Sequence, residues 1–221
     1  MDDVPLPRFR VVGSYVRYDP QVRNSLKDWK LRIIADLQTH KTGTFSYLVW
    51  APPGSGKTYF VQEIARSLGD PVRYEELNLA QLGKEEFISR LRQLDASTKP
   101  SLCLVDEIDA KPAESWPYET LLSALEPKEG RIYTSFILAG SSTSGIDQMK
   151  RRIASRPKGD DVLSRIPVTN EFVIPSLGPG DLMLVSLAQL RHAGRGMGRT
   201  VNEVEKLALY YICSNPRLSN A

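Results

Sequence analysis

Ala51-Pro52-Pro53-Gly54-Ser55-Gly56-Lys57-Thr58 follows the apolar run Phe45 to Trp50 and opens a stretch of helical spacing, Thr58 to Leu68, that closes at Gly69. A strand, a glycine-rich loop and a helix in that order make a phosphate-binding turn. Backbone N–H groups at a helix N-terminus point at an anion, and the aligned peptide dipoles favour negative charge there. Gly54 and Gly56 let the backbone wrap closely. Lys57 can reach β- and γ-phosphates, and the Thr58 hydroxyl can ligate Mg²⁺. The full pattern has glycine where Ala51 stands, and alanine serves if its φ stays negative. The predicted nucleotide-binding set is Pro53, Gly54, Ser55, Gly56, Lys57, Thr58 and Tyr59.

Downstream, Leu102-Cys103-Leu104-Val105 is a fully apolar strand that emerges into Asp106-Glu107-Ile108-Asp109. A carboxylate at a strand end suits a magnesium site, so Asp106 joins Thr58 as a predicted metal-binding residue. Glu107 beside it can polarise an attacking water.

Around these segments, short apolar runs alternate with helical patterns. Strands are predicted at Phe45–Trp50, 72–77, 102–105, 132–139 and 171–174, and helices between them. That alternation indicates a five-stranded parallel sheet covered by helices on both faces, an α/β fold. Asp19-Pro20 reads as an N-cap with proline in the first turn, and Val22, Leu26, Trp29, Ile33 and Leu37 carry that helix to about Gln38. Residues 1–18 read as an ordered but irregular arm. Strands stop near Pro175-Ser176, so a core over 1–175 and a small all-α lid over 176–221 are expected, the lid cut short at Ala221. Within it, a helix from Asp181 to His192 leads to a turn at 194–199. Thr200 and Glu203 have capping-box spacing for a helix reaching Ile212.

Bulk properties narrow the classes. The chain carries 29 basic and 26 acidic residues, net +3, which does not favour nucleic acid or an anionic membrane. Cys103 and Cys213 have no metal-ligand spacing, which suits a reducing compartment. No apolar run approaches the ~20 residues that span a bilayer, and Met1-Asp2-Asp3 does not open a signal peptide. A cytoplasmic protein without membrane partners is expected.

The two acidic and glycine-rich segments together resemble those of the AAA+ ATPase family, over about residues 45 to 217. Ala51 to Thr58 looks like its Walker A loop and Leu102 to Asp109 like its Walker B strand. The resemblance implies further roles. Phe136 to Ser141 matches the strand that ends in a polar sensor, which puts serine, Ser141, where asparagine is usual. Asp160 to Pro167 matches the segment of the arginine finger, with Arg165 as the finger and Arg156 as substitute candidate; a plain helix C-terminal arginine is the alternative. Asn215-Pro216-Arg217 matches the start of the second-sensor helix, with Arg217 near the γ-phosphate. Val11, Val12 and Gly13 match the adenine-pocket segment, with plain packing of the arm as the alternative. The stretch Leu77 to Gly83 has no aromatic pore-loop residue, which weakens a protein-unfolding role. The basic run Lys150, Arg151, Arg152, Arg156 and Lys158 reads as a solvated or inter-subunit face.

The resulting expectation is ATP or ADP with Mg²⁺ as ligands and Lys57, Glu107, Ser141 and Arg165 as catalytic residues. Copies of the chain would self-associate as a ring or open helix with shared sites, and hydrolysis would move the lid to remodel a macromolecular partner. A nucleotide-dependent switch or scaffold with little turnover is the alternative, and a nucleic-acid-loading ATPase the second.

Overall fold

A computed structural model describes residues 6–39, 42–110, 113–126, 132–141 and 144–214. In chain order the elements are α1 (Leu6–Phe9), β1 (Arg10–Val12), β2 (Tyr15–Val16), α2 (Pro20–Thr39), β3 (Thr44–Trp50), α3 (Lys57–Leu68), β4 (Arg73–Asn78), α4 (Lys84–Asp95), β5 (Ser101–Asp106), α5 (Trp116–Leu125), β6 (Thr134–Gly140), α6 (Ile146–Ala154), α7 (Gly159–Ser164), a 3₁₀ turn at Val168–Asn170, β7 (Glu171–Val173), α8 (Pro179–Gly196) and α9 (Lys206–Ser214).

The central sheet has five strands in the order β4-β5-β6-β3-β7, and every pair is parallel. Parallel strands buried on both faces read as unbroken apolar runs, because successive side chains point to opposite faces and both faces are dry. β5 shows this directly. Leu102 and Leu104 lie on one side with Trp29, Ile33, Phe60 and Ile64 of α2 and α3. Cys103 and Val105 lie on the other with Phe87, Leu121 and Met149 of α4, α5 and α6. The Asp19 carboxylate caps α2 by accepting from the N–H groups of Gln21 (2.7 Å) and Val22 (3.0 Å), as its spacing predicts.

Three local expectations are corrected. The N-terminal arm is regular over residues 10–16: β1 and β2 form an antiparallel hairpin that packs on α2 and α3 through Val11, Val12 and Tyr15. A two-residue turn between such short strands leaves no alternation long enough to read. The turn expected at 194–199 starts later, because α8 runs on through Gly196. Thr200 and Glu203 do not cap α9, which begins at Lys206. Arg199 N–H donates to the Gly194 carbonyl (2.8 Å), and a Cβ built at Gly194 would meet Val201 Cγ2 at 2.8 Å. The chain is thus drawn back along α8, and this tertiary contact overrides the local capping signal. Among the described residues, no helix is long and apolar enough to cross a membrane.

Candidate functional site

β3, β6 and β5 lie side by side, and their C-terminal ends bring three loops together. β3 leads into the turn 51–56, whose Gly54 (φ 73°) and Gly56 (φ 79°) take the left-handed conformation that closes it onto α3. Ala51 meets the condition set by the sequence: among the described residues, Glu107 and Lys158 are the non-glycines at positive φ. Ala51 N–H donates to the Gly140 carbonyl (3.1 Å), which ties the loop to the end of β6. The Ser55 hydroxyl is buried in the loop and has no hydrogen-bond partner among the described residues.

Lys57 and Asp106 form a buried ion pair. Thr58 Oγ1 donates to Asp106 Oδ2 (3.2 Å), and the Glu107 N–H donates to Asp106 Oδ1 (2.8 Å). Asp106 therefore takes three donors. Glu107 follows at φ 54°, a left-handed backbone that costs a side-chain-bearing residue about 1–2 kcal/mol. This turn aims its carboxylate at the same cluster. Glu107 Oε1 lies 4.0 Å from Lys57 Nζ, and the Ser141 hydroxyl donates to both carboxylate oxygens, at 3.0 and 3.1 Å. Serine is short, yet Ser141 stands one residue past β6 and needs to reach only the neighbouring strand's loop. The structure thus brings Lys57, Thr58, Asp106, Glu107 and Ser141 together. Thr58 and Asp106 are hard oxygen donors on one side of the cluster, a set that fits Mg²⁺ completed by phosphate and water oxygens.

Beside the loop lies a cavity of about 550 Å³, walled by Tyr15 and Val16 of the hairpin, Gly54 to Gly56, Tyr59, and Val185 and Ala188 of α8. Val12 and Gly13 stand just before this wall. Val12 is buried in the core, and Gly13 makes the hairpin turn at φ 48° against Glu63, where a Cβ would sit 2.0 Å from Glu63 Oε2. The residues that reach the cavity are instead the following ones, Ser14 to Val16.

Arg165 is not part of the cluster. It caps α7 at the surface and pairs with Glu126 across 3.4 Å, both side chains well exposed. Arg156, the substitute candidate, is buried. It donates to the carbonyls of Asp109 and Ala110 and to Tyr118 OH, so it braces the turn after β5 from within its own chain and cannot serve as a finger. Arg217 lies outside the described residues.

Sequence reading missed the hairpin's polar contacts. Ser14 N–H (2.6 Å) and hydroxyl (2.9 Å) donate to Glu63, whose other oxygen accepts from Arg66. Burial pushes the Glu63 carboxyl up, but these donors outweigh it and hold the pKa below the ordinary carboxylate value. An acid on the apolar stripe Phe60, Glu63, Ile64 was the available signal. Tyr15 and Arg17 gave none.

The model of the AAA family, "ATPase family associated with various cellular activities", matches residues 47–158. Comparison with curated proteins found no match. Among similar solved structures is the ORC2 protein of Aeropyrum pernix, solved in ADPNP and ADP complexes, with a TM-score of 0.52 at 12% identity. The alignment covers 80% of this chain and 53% of that one, so this chain spans about half the length of its structural relative. At that identity the likeness speaks for the fold alone.

Proposed function

Because the chain belongs to the AAA family of ATPases, we propose that it binds ATP with Mg²⁺ at the junction of β3, β5 and β6 and hydrolyses it. The observation that carries this reading is the convergence of Lys57 and Thr58 at the start of α3, Asp106 and Glu107 at the end of β5, and Ser141 just past β6. The loop amides and Lys57 bind the phosphates. Thr58 and Asp106 would hold Mg²⁺, which neutralises phosphate charge when bound. Glu107 accepts a proton from water as its oxygen attacks the γ-phosphorus. The bond from that phosphorus to the bridging oxygen breaks, and ADP and inorganic phosphate leave. Ser141 keeps the Glu107 carboxylate oriented.

The cavity walled by the hairpin and α8 takes the adenine. The exposed Arg165 reaches the site of a neighbouring copy, where a guanidinium offsets charge on the transferring phosphoryl. Self-association in a ring or open helix follows, and the helices after residue 175 act as a lid whose motion remodels a macromolecular partner.

One observation favours the switch reading. The single Ser141 hydroxyl proton bridges both Glu107 oxygens, and an attacking water has to share the carboxylate with it. Mg²⁺-dependent ATP hydrolysis per subunit, measured across a wide range of protein concentration with Glu107→Gln as blank, decides between them. Activity that rises with concentration and vanishes in the blank supports shared hydrolytic sites. Tight ATP binding with turnover no greater than the blank's overturns the hydrolase and leaves the switch.

A further inference from the structure

Arg17 is wholly buried, and nothing in the reading of the site above uses it. Its Nη2 donates to the Ser55 carbonyl of the loop (3.1 Å) and to the Pro175 carbonyl (2.8 Å). Its Nη1 donates to the Ser176 carbonyl (3.3 Å) and faces Asp181 Oδ2 at 3.4 Å. Its Nε donates to Tyr15 OH (3.0 Å), and Tyr15 OH donates in turn to the same Ser55 carbonyl (3.3 Å). Burial pushes the Tyr15 hydroxyl pKa up despite the nearby cation, so it stays a protonated donor. Asp181 is itself fixed, by the N–H groups of Tyr18 (2.6 Å) and Gly178 (3.0 Å).

One loop carbonyl thus takes two donors, one of them charged. A trans peptide is planar, with its C=O and N–H pointing in opposite directions. Holding the Ser55 carbonyl toward the hairpin turns the Gly56 N–H away from it, the direction a loop amide needs to meet a phosphate. Left-handed Gly56 forms one side of this peptide, Gly54 stands one residue before it, and glycine backbones rotate most easily. An external clamp therefore has something to restrain.

We infer that Arg17, seconded by Tyr15, is a positioning residue that presets the 51–56 loop for phosphate and couples it to the segment joining β7 to α8. The inference rests on the nucleotide-binding reading above. Arg17 touches no nucleotide and acts through the Ser55–Gly56 peptide. Because the same guanidinium holds Pro175 and Ser176, a shift of the loop passes to α8 within one chain.

The test uses the full chain and compares ADP with adenosine, the latter by competition against a fluorescent ADP analogue. Arg17→Met is expected to weaken ADP about tenfold, in line with loss of a charge-assisted hydrogen bond, while adenosine changes less than about twofold. Arg17→Lys, with one ammonium and a shorter reach, recovers part of the ADP affinity. Arg17→Gln, which keeps a neutral donor and loses the charge, gives a smaller ADP-selective loss and carries the same comparison if Arg17→Met does not fold. Equal losses for both ligands, or none, overturn the inference and leave the site reading intact, since Arg17 would then be an ordinary prop of the hairpin. Wild-type protein that does not bind ADP overturns the site reading and the inference with it.

Discussion

Glu107 combines two demands at one position. Its carboxylate belongs at the end of β5, and its backbone reaches that place only at φ 54°. Strain of this kind persists where the surroundings hold it, here through the Glu107 N–H bond to Asp106 and the Ser141 hydrogen bonds. Glycine and alanine at this position both remove the carboxylate, but only glycine relieves the backbone. Glu107→Gly should therefore be more stable than Glu107→Ala by up to about 1 kcal/mol, the left-handed penalty less glycine's greater unfolded-state freedom. Denaturant midpoints of the two variants measure the difference, and both should lack hydrolysis. An alanine variant as stable as the glycine variant would mean that the turn relaxes and stores no strain.

At the scale of elements, the hairpin is fastened to α3 through Ser14 and Glu63, and the turn after β5 to α7's approach through Arg156. The Glu63 pKa is depressed, so its contribution to stability is present above the ordinary carboxylate pKa of about 4.3 and is lost as pH falls through the lower folded value. Glu63→Gln should lower stability at pH 7, and the gap to wild type should narrow below about pH 4. Chemical denaturation at both pH values checks the sign. A gap that widens in acid would contradict it. The two arginines flanking α7 should separate cleanly. Arg156→Met leaves buried carbonyls without their donor and should cost about 2–4 kcal/mol. Arg165→Ala removes an exposed pair and should cost less than about 0.5 kcal/mol. Thermal melts of the two variants give the comparison.

Across the whole molecule, Arg165 pairs with Glu126 at the surface while Lys57 pairs with Asp106 inside, so the proposed finger would act on the site of a second copy. Mixing Glu107→Gln with Arg165→Ala should restore part of the hydrolysis that each lacks alone. An intact Glu107 in one copy would then face an intact Arg165 from the other. A mixture as inactive as its components would place Arg165 outside the site. The exposed ion pair with Glu126 must open for this reach, and exposed pairs open at little cost.

The local pattern of residues carried much of this molecule. Alternating apolar runs and helical stretches specified a parallel α/β sheet, because each strand must be dry on both faces. Lys57, Thr58, Asp106 and Glu107 were legible because a glycine-rich turn after a strand, and carboxylates at a buried strand's end, are unusual local chemistry. Asp19 likewise announced α2. Tertiary structure alone decided that β6 lies between β3 and β5, and so that Ser141 reaches Glu107 while Asp106 meets Lys57. It also withdrew Arg156 into the core, started α9 at Lys206 and buried Arg17 among backbone carbonyls. These outcomes depend on pairings between distant segments. A side chain's spacing along the chain encodes which face it shows, but not which carbonyl from 38 or 158 residues away will meet it there.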